Sequence, residues 1–311
     1  MKKIIGLVLA SAMMLSLAAC QVTGYGDSAL NPSSSQTTNP PVTSNDKPQS
    51  ITPSTNNTPI TVISREDGSG TRGAFTELFG VLDADKVDQT TGYAEITNST
   101  SVMMTSVAGN PDAIGYISLG SLNSTVMAAK IDGVEATVAN INNGSYTISR
   151  PFNIAVKEGA SVLAQDFINF IMSSDGQDIV EVNGYIRVED TGAYSGTRPS
   201  GKIVVGGSSS VSPVMEKLME GYLAINTDAD IELQTSDSST GMNNTIDGVC
   251  DIGMASRELK ASEHDAGLND TVIAMDGIAV IINNGSPIDN LTKEQVRQIF
   301  TGEIKNWSEI H

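Results

Sequence analysis

Three Ser/Thr/Gly-rich stretches carry the residues best suited to chemistry. Ser64-Arg65-Glu66-Asp67-Gly68-Ser69-Gly70-Thr71-Arg72 follows the apolar run Thr61-Val62-Ile63. Gly206-Gly207-Ser208-Ser209-Ser210-Val211 follows Ile203-Val204-Val205. Ser236-Asp237-Ser238-Ser239-Thr240-Gly241 precedes the segment Met242 to Val249. The chemistry open to such loops is anion capture. A helix start leaves backbone N–H groups unpaired and carries about half a positive charge. Glycine lets the backbone close around a tetrahedral oxyanion, and hydroxyls add donors without bulk. Arg65 adds a planar, charge-assisted, bidentate contact. Any one of these loops read alone is an ordinary helix cap. Three together, converging on one point, could hold an oxyanion with little net positive charge.

Other chemistries fare worse. The string Gly68-Ser69-Gly70-Thr71 lacks the Lys-Ser/Thr ending of a phosphate-binding Walker loop. No Gly-x-Ser-x-Gly elbow with a partner histidine is present. His264 and His311 are the two histidines, and no Cys/His spacing of the zinc type occurs, so neither a metal nor a cofactor is implied. A phosphoryl-transfer enzyme would need a general base near the loops, and none is evident. The protein reads as a non-enzymatic binder. The formal net charge of −18 argues against nucleic acid as a partner and against polybasic membrane contact. It also means that an anionic ligand must be held by local dipoles and one or two cations against an opposing long-range field.

The elements that must position these loops are legible from periodicity. Ile60 to Ile63, Ile203 to Val205 and Ile278 to Ile282 are short β-branched runs bounded by Gly and polar residues, as buried strands are. Val211 to Leu223 and Val162 to Ile171 place apolar residues at helical spacing. Thr292 with Gln295 forms a capping box before Val296, Ile299 and Phe300. Strands alternating with helices imply an α/β fold, and about 250 residues suffice for two lobes, each with its own sheet.

The N-terminus reads as an export signal. Lys2 and Lys3 precede an apolar run, Ile4 to Leu17, that is short for a membrane span, which needs about 20 residues. Leu17-Ala18-Ala19-Cys20 resembles a bacterial lipobox. That resemblance implies cleavage of a signal peptide, residues 1–19, and diacylation of Cys20, which anchors the protein to the outside of the cell membrane; two acyl chains hold stably where one does not. Cleavage would move the net charge from −18 to −20. Residues 21 to 58 are Ser, Thr, Asn, Pro and Gln with few large apolar side chains. With Cys20 they read as a disordered tether, residues 20–58. Cys250, the remaining thiol, reads as a small buried residue.

The Arg65 loop, continued through Gly73-Ala74-Phe75, resembles the signature loop of phosphate-binding proteins of the phosphate ABC transporter. Gly207-Ser-Ser-Ser-Val211, Asp237-Ser-Ser-Thr-Gly241, Asp251-Ile-Gly-Met-Ala-Ser-Arg257 and Ile114-Gly-Tyr-Ile-Ser-Leu119 are similar to that family's other stretches. So are Arg150-Pro-Phe152, Asp175-Gly-Gln177, Asn183-Gly-Tyr185 and Phe300-Thr-Gly-Glu-Ile-Lys-Asn-Trp307. The resemblance covers nearly everything after the tether. It implies a two-lobe, type II periplasmic-binding fold, each lobe a mixed sheet flanked by helices, with inorganic phosphate in the cleft and the membrane subunits of an ABC permease as partner. Carried over by motif, Arg65 binds the anion, and Ser69, Gly70 and Thr71 donate backbone and hydroxyl hydrogens. Ser209 and Ser210 do so from the second loop, and Ser238 or Ser239 from the third. Asp67 orients Arg65.

Two features depart from the family pattern. In the familiar order the Gly-Ser-Ser-Ser-Val loop comes early and the Arg65 loop follows the Asn-Trp motif; here the Arg65 loop opens the domain and Asn306-Trp307 closes the chain. The chain therefore reads as circularly permuted, with residues 59–148 forming one lobe that 286–311 completes, residues 150–284 forming the other, and His311 near Pro59. A fragment of a tandem array or a broken reading frame is the competing explanation. Second, some family members place an aspartate, the acceptor that tells protonated phosphate from sulfate, where this chain has Arg257. Asp67 or Asp237 could serve instead, or Arg257 could face the ligand or pair with a lobe carboxylate. Another tetrahedral oxyanion, sulfate or molybdate, and a signalling or adhesive lipoprotein without a transport role remain as alternatives.

Overall fold

A computed structural model describes residues 58–310. The expectations for the signal peptide, Cys20, the tether before residue 58 and His311 lie outside the described residues.

The chain begins with β1 (Thr61–Arg65), α1 (Gly70–Phe79), β2 (Glu95–Thr97), α2 (Thr100–Gly109) and β3 (Ala113–Ser118). Short strands β4 (Met127–Ala128) and β5 (Lys130–Ile131) and helix α3 (Val138–Asn142) lead into β6 (Ser149–Lys157). Helices α4 (Val162–Ile171) and α5 (Ser174–Val182) follow, then β7 (Gly201–Ser208), α6 (Ser212–Ile225), β8 (Ala229–Ser236), α7 (Ser238–Ile246) and β9 (Ile252–Ala255). The chain ends with α8 (Ala261–Asp265), the long β10 (Leu268–Ile282), β11 (Asn290–Leu291) and α9 (Lys293–Thr301).

The helices begin and end where their caps dictate. Ser161 accepts from Ala164 N to open α4, and the Thr292/Gln295 capping box opens α9. α9 stops at Gly302, which takes the left-handed conformation (φ 80°) that a side chain disfavours. The expected helices over 162–171 and 211–223 are present as α4 and α6, with Pro213 in the first turn of α6, where its missing N–H costs no hydrogen bond.

The main sheet runs β2-β1-β3-β10-β6-β9-β7-β8, with β4 also pairing β10; β11 and β5 form a separate ribbon. At one end β1 pairs in parallel with β2 and β3, and at the other β7 pairs in parallel with β8 and β9. β10 joins the halves: Leu268 to Gly277 pair with β6, and Ile278 to Ile282 pair with β3, all antiparallel. Each half has its own hydrophobic core. One gathers residues from Val62 to Ile148 and from Ile278 to Trp307; the other gathers residues from Phe152 to Ala274. This is an α/β architecture of two lobes crossed by β6 and β10. Parallel strands deliver β1 and β7 with their C-terminal ends toward the Ser/Thr loops, the edge at which α/β sheets hold ligands.

Candidate functional site

Arg65 is the last residue of β1 and is 2% exposed. Its backbone N–H donates to Tyr116 Oη (3.1 Å), which also bonds Ser64 Oγ (2.8 Å). Burial pushes the Tyr116 hydroxyl up to about 12, so it stays neutral and serves as a fixed support. The ring of Tyr116 stacks on Phe75 of α1 at 3.9 Å, and Phe75 also packs on Phe300 at 4.5 Å. This aromatic cluster fixes α1, and with it the loop at its N-terminus, against the strand that carries Arg65.

Gly68 turns the loop with φ 89°, a conformation natural to glycine. Ser69 then caps α1 by accepting from Arg72 N (3.3 Å). The next two N–H groups, of Gly70 and Thr71, have no intrahelical acceptor. Across the cleft, Ser238 opens α7 under its cap Asp237.

The loops meet between the lobes. Arg65 Nη2 donates to Ser209 Oγ (3.1 Å), Thr71 Oγ1 bonds Ser210 Oγ (2.8 Å), and Ser239 donates from its N and Oγ to Gly68 O (both 3.2 Å). Ser209, Ser210, Ser238, Ser69 and Thr71 are all buried. A Cβ built on Gly70 would meet Ser238 Oγ and lie 2.7 Å from Ser256 Oγ, so a side chain here would have to displace groups of the facing lobe.

Some roles differ from expectation. Asp67 does not orient Arg65. The two bonds at 2.7 Å from Arg65 Nε and Nη2 go to the carboxylate of Glu66. Asp67 instead accepts from Arg72 Nη1 (2.8 Å). The reason lies in Arg72, which reaches back from the first turn of α1 to Arg65 O (2.9 Å) and draws Asp67 to itself. Asp237 is committed to capping, accepting from Thr240 N (2.9 Å) and Thr240 Oγ1 (2.6 Å). Arg257 pairs with Glu263 through two bonds at 2.8 and 2.9 Å, and its Nη2 also donates to Ser239 Oγ (3.2 Å). Burial alone would raise the Glu263 carboxyl, but the bonds from Arg257 and from Lys260 N outweigh it and hold it below the ordinary glutamate value. Of the two placements open to Arg257, the ion pair with a lobe carboxylate is the one found, at the rim of the cleft.

Sequence reasoning missed three contributors. Thr100, the first residue of α2, is buried and lies 3.3 Å from Ser210 Oγ and 3.5 Å from Ser209 Oγ. A signal existed: Asn98-Ser99-Thr100-Ser101 is another Ser/Thr stretch between a strand and a helix, though without glycine. Ser208 and Ser256 bond each other at 2.9 Å, and Ser256 N donates to Ser238 Oγ (3.1 Å), tying the second and third loops together. The helix starts of α1, α2, α6 and α7 thus surround one guanidinium and a set of rotatable hydroxyls. Among the described residues no cluster of three His, Cys, Asp or Glu is placed to hold a metal ion.

The profile of the PBP superfamily domain matches residues 43–175 and 192–310. The chain is 55% identical over 256 residues to phosphate-binding protein PstS 2 of Streptococcus agalactiae serotype V, covering 81% of this chain and 87% of that protein. It is 44% identical over 255 residues to phosphate-binding protein PstS 2 of Streptococcus pneumoniae serotype 4, with the same coverage of 81% and 87%. A crystal structure of a phosphate ABC transporter phosphate-binding protein from Streptococcus pneumoniae TIGR4 superposes with a TM-score of 0.65 at 44% identity, covering 82% of this chain and 100% of that one. This chain belongs to the PstS family of phosphate-binding proteins.

Proposed function

We propose that the protein captures inorganic phosphate outside the cytoplasm and delivers it to the membrane subunits of an ABC transporter, without chemical change. The observation that carries this reading is the convergence of Arg65 and buried hydroxyls from both lobes on one point ringed by helix N-termini. Phosphate enters between the lobes, Thr71, Thr100, Ser209 and Ser210 turn their hydroxyls toward it, and the N–H groups of Gly70, Thr71 and Ser238 donate from helix starts. Glu66 holds the Arg65 guanidinium in plane. Residues on both sides of the cleft share one ligand, so occupancy favours the closed lobes, and closure is the signal a permease can read. The relatives named as phosphate-binding proteins support phosphate over other oxyanions.

The chain order fits a circular permutation. Pro59 pairs with Asn306, Ile60 N donates to Lys305 O (2.8 Å) and Trp307 N to Thr58 O (3.2 Å), so the two ends of the described chain lie side by side. Permutation needs adjacent ends of this kind. The segment that would join the former termini, around Thr191 to Lys202, is held by Asp166, which accepts from Tyr194 Oη, Thr197 N (2.8 Å) and Arg198 N (3.3 Å). We assign residues 59–148 and 278–310 to one lobe and 150–277 to the other: the expected boundary at 284/286 moves back into β10, because Ile278 to Ile282 pair with β3 and pack in the first core. Signal cleavage after residue 19, a lipid on Cys20 and a tether to residue 58 would hold the lobes at the membrane surface.

Isothermal titration at neutral pH with phosphate and with sulfate tests the reading. Tight binding of phosphate and none of sulfate is expected. Equal binding of both would make the protein a general oxyanion binder, and no binding by folded protein would overturn the proposal.

A further inference from the structure

A buried ion pair lies outside the donor set above yet is wired into it. Arg150 on β6 stands opposite Asp276 on β10, in the two strands that cross between the lobes. Their side chains are 2% and 1% exposed. Arg150 Nε and Nη2 donate to Asp276 Oδ2 at 3.4 and 3.2 Å. The other carboxylate oxygen accepts from Ser118 Oγ (2.8 Å) and Gly120 N (3.4 Å). The pair is therefore polarised: Asp276 faces the end of β3, while Arg150 Nη1 reaches the opposite way and donates to Ser256 O (3.0 Å).

Ser256 is the point where the binding loops join. It donates its N–H to Ser238, its Oγ accepts from Ser208, and Gly70 packs directly against it. Arg150 is thus one bond from a residue that touches all three loops. Burying such a pair is costly, and well-packed apolar residues would often serve stability as well. Desolvation pushes the Arg150 guanidinium down and the Asp276 carboxyl up, and the nearby positive charge of Arg65 presses Arg150 further down. The Tyr185 hydroxyl beside the pair is raised by burial and stays neutral, so it does not offset that charge. An anion lying between the loops would relieve the repulsion between the two guanidinium groups.

We propose that Arg150 is a positioning residue for the oxyanion: it fixes Ser256 beneath the three loops and supplies a second buried positive charge behind Arg65, coupling anion occupancy to the strands that join the lobes. This rests on the reading that phosphate occupies the loops.

The test compares wild type with Arg150→Met, Arg150→Lys and Asp276→Asn, measuring phosphate affinity by calorimetry and the phosphate-induced rise in melting temperature. Arg150→Met is expected to weaken binding by at least about tenfold, from loss of a charge that acts in a low-dielectric setting. Arg150→Lys, which keeps the charge, recovers most of that loss. Asp276→Asn leaves the Arg150 charge without its counter-ion; the unliganded protein melts lower, yet it binds phosphate more tightly and gains more from it. A purely structural role cannot produce that reversal of sign. The proposal is overturned if Asp276→Asn weakens binding alongside Arg150→Met, or if Arg150→Met binds like wild type. Should Arg150→Met fail to fold, Arg150→Lys and Asp276→Asn decide the matter by the same signs. A folded wild type that binds no phosphate refutes the functional reading and this inference together, and is distinguishable because it precedes any variant.

Discussion

Arg65→Ala is expected to raise the dissociation constant for phosphate by roughly 10²–10³-fold while leaving the protein folded. Hydrogen bonds to charged groups contribute about 1.5–3 kcal/mol each, and every 1.4 kcal/mol is about a tenfold change in affinity. Two such bonds to one anion account for the lower end of that range. The rest comes from Glu66. Its carboxylate is now neutralised by Arg65 through both oxygens, and in the variant it stands unpaired beside the incoming anion. Glu66 is partly exposed (19%), so water can solvate it and the fold survives. The double variant Arg65→Ala/Glu66→Gln should therefore regain part of the lost affinity. Calorimetric titration of wild type, the single variant and the double variant checks this. Single and double variants that bind phosphate equally would show that Glu66 does not face the ligand, and wild-type affinity in Arg65→Ala would remove Arg65 from the site.

Gly70→Ala is expected to be as damaging by a different route. The new Cβ would meet Ser238 Oγ and lie 2.7 Å from Ser256 Oγ and 3.1 Å from the Ser256 carbonyl carbon. A hydroxyl can rotate away, but the Ser256 backbone cannot, since Arg150 and Ser238 hold it. The clash exists only where the lobes meet, and alanine suits the start of a helix at least as well as glycine. The unliganded protein should therefore keep its melting temperature within a few degrees while phosphate affinity falls by about 10²-fold or more. Solution scattering separates this from a general folding defect. Wild type should contract on adding phosphate, and the variant should keep its unliganded radius of gyration. A variant that contracts and binds like wild type would show that the lobes close without bringing Gly70 against Ser238 and Ser256.

Much of this arrangement could be read from local sequence. The capping box at Thr292, the apolar spacing of α4 and the Gly-rich turn before α1 are each written within a few residues. The sequence also named loops that meet although Thr71 and Ser210 lie 139 positions apart, because each loop shows the same strand-then-hydroxyl-then-helix pattern. What stayed hidden was which neighbour a charged side chain selects. Asp67 and Glu66 are adjacent, and the choice between them turns on Arg72 folding back onto Arg65 O, a contact that exists only once α1 has formed. Thr100 lacked the glycine that marked the other loops. Ser256 enters the site through bonds to Arg150, Ser208 and Ser238, none of which leaves a trace in its immediate sequence.

A crystal structure grown with phosphate would show whether one anion sits among Arg65 and the Ser/Thr loops of both lobes. One phosphate is expected within hydrogen-bonding distance of Arg65, the N–H groups of Gly70 and Thr71, and the hydroxyls of Ser209 and Ser210. Phosphate found instead in the outer cleft of about 290 Å³, which Arg72, Lys86, Arg257 and Lys260 help to line, with the Arg65 loops empty, would contradict this placement.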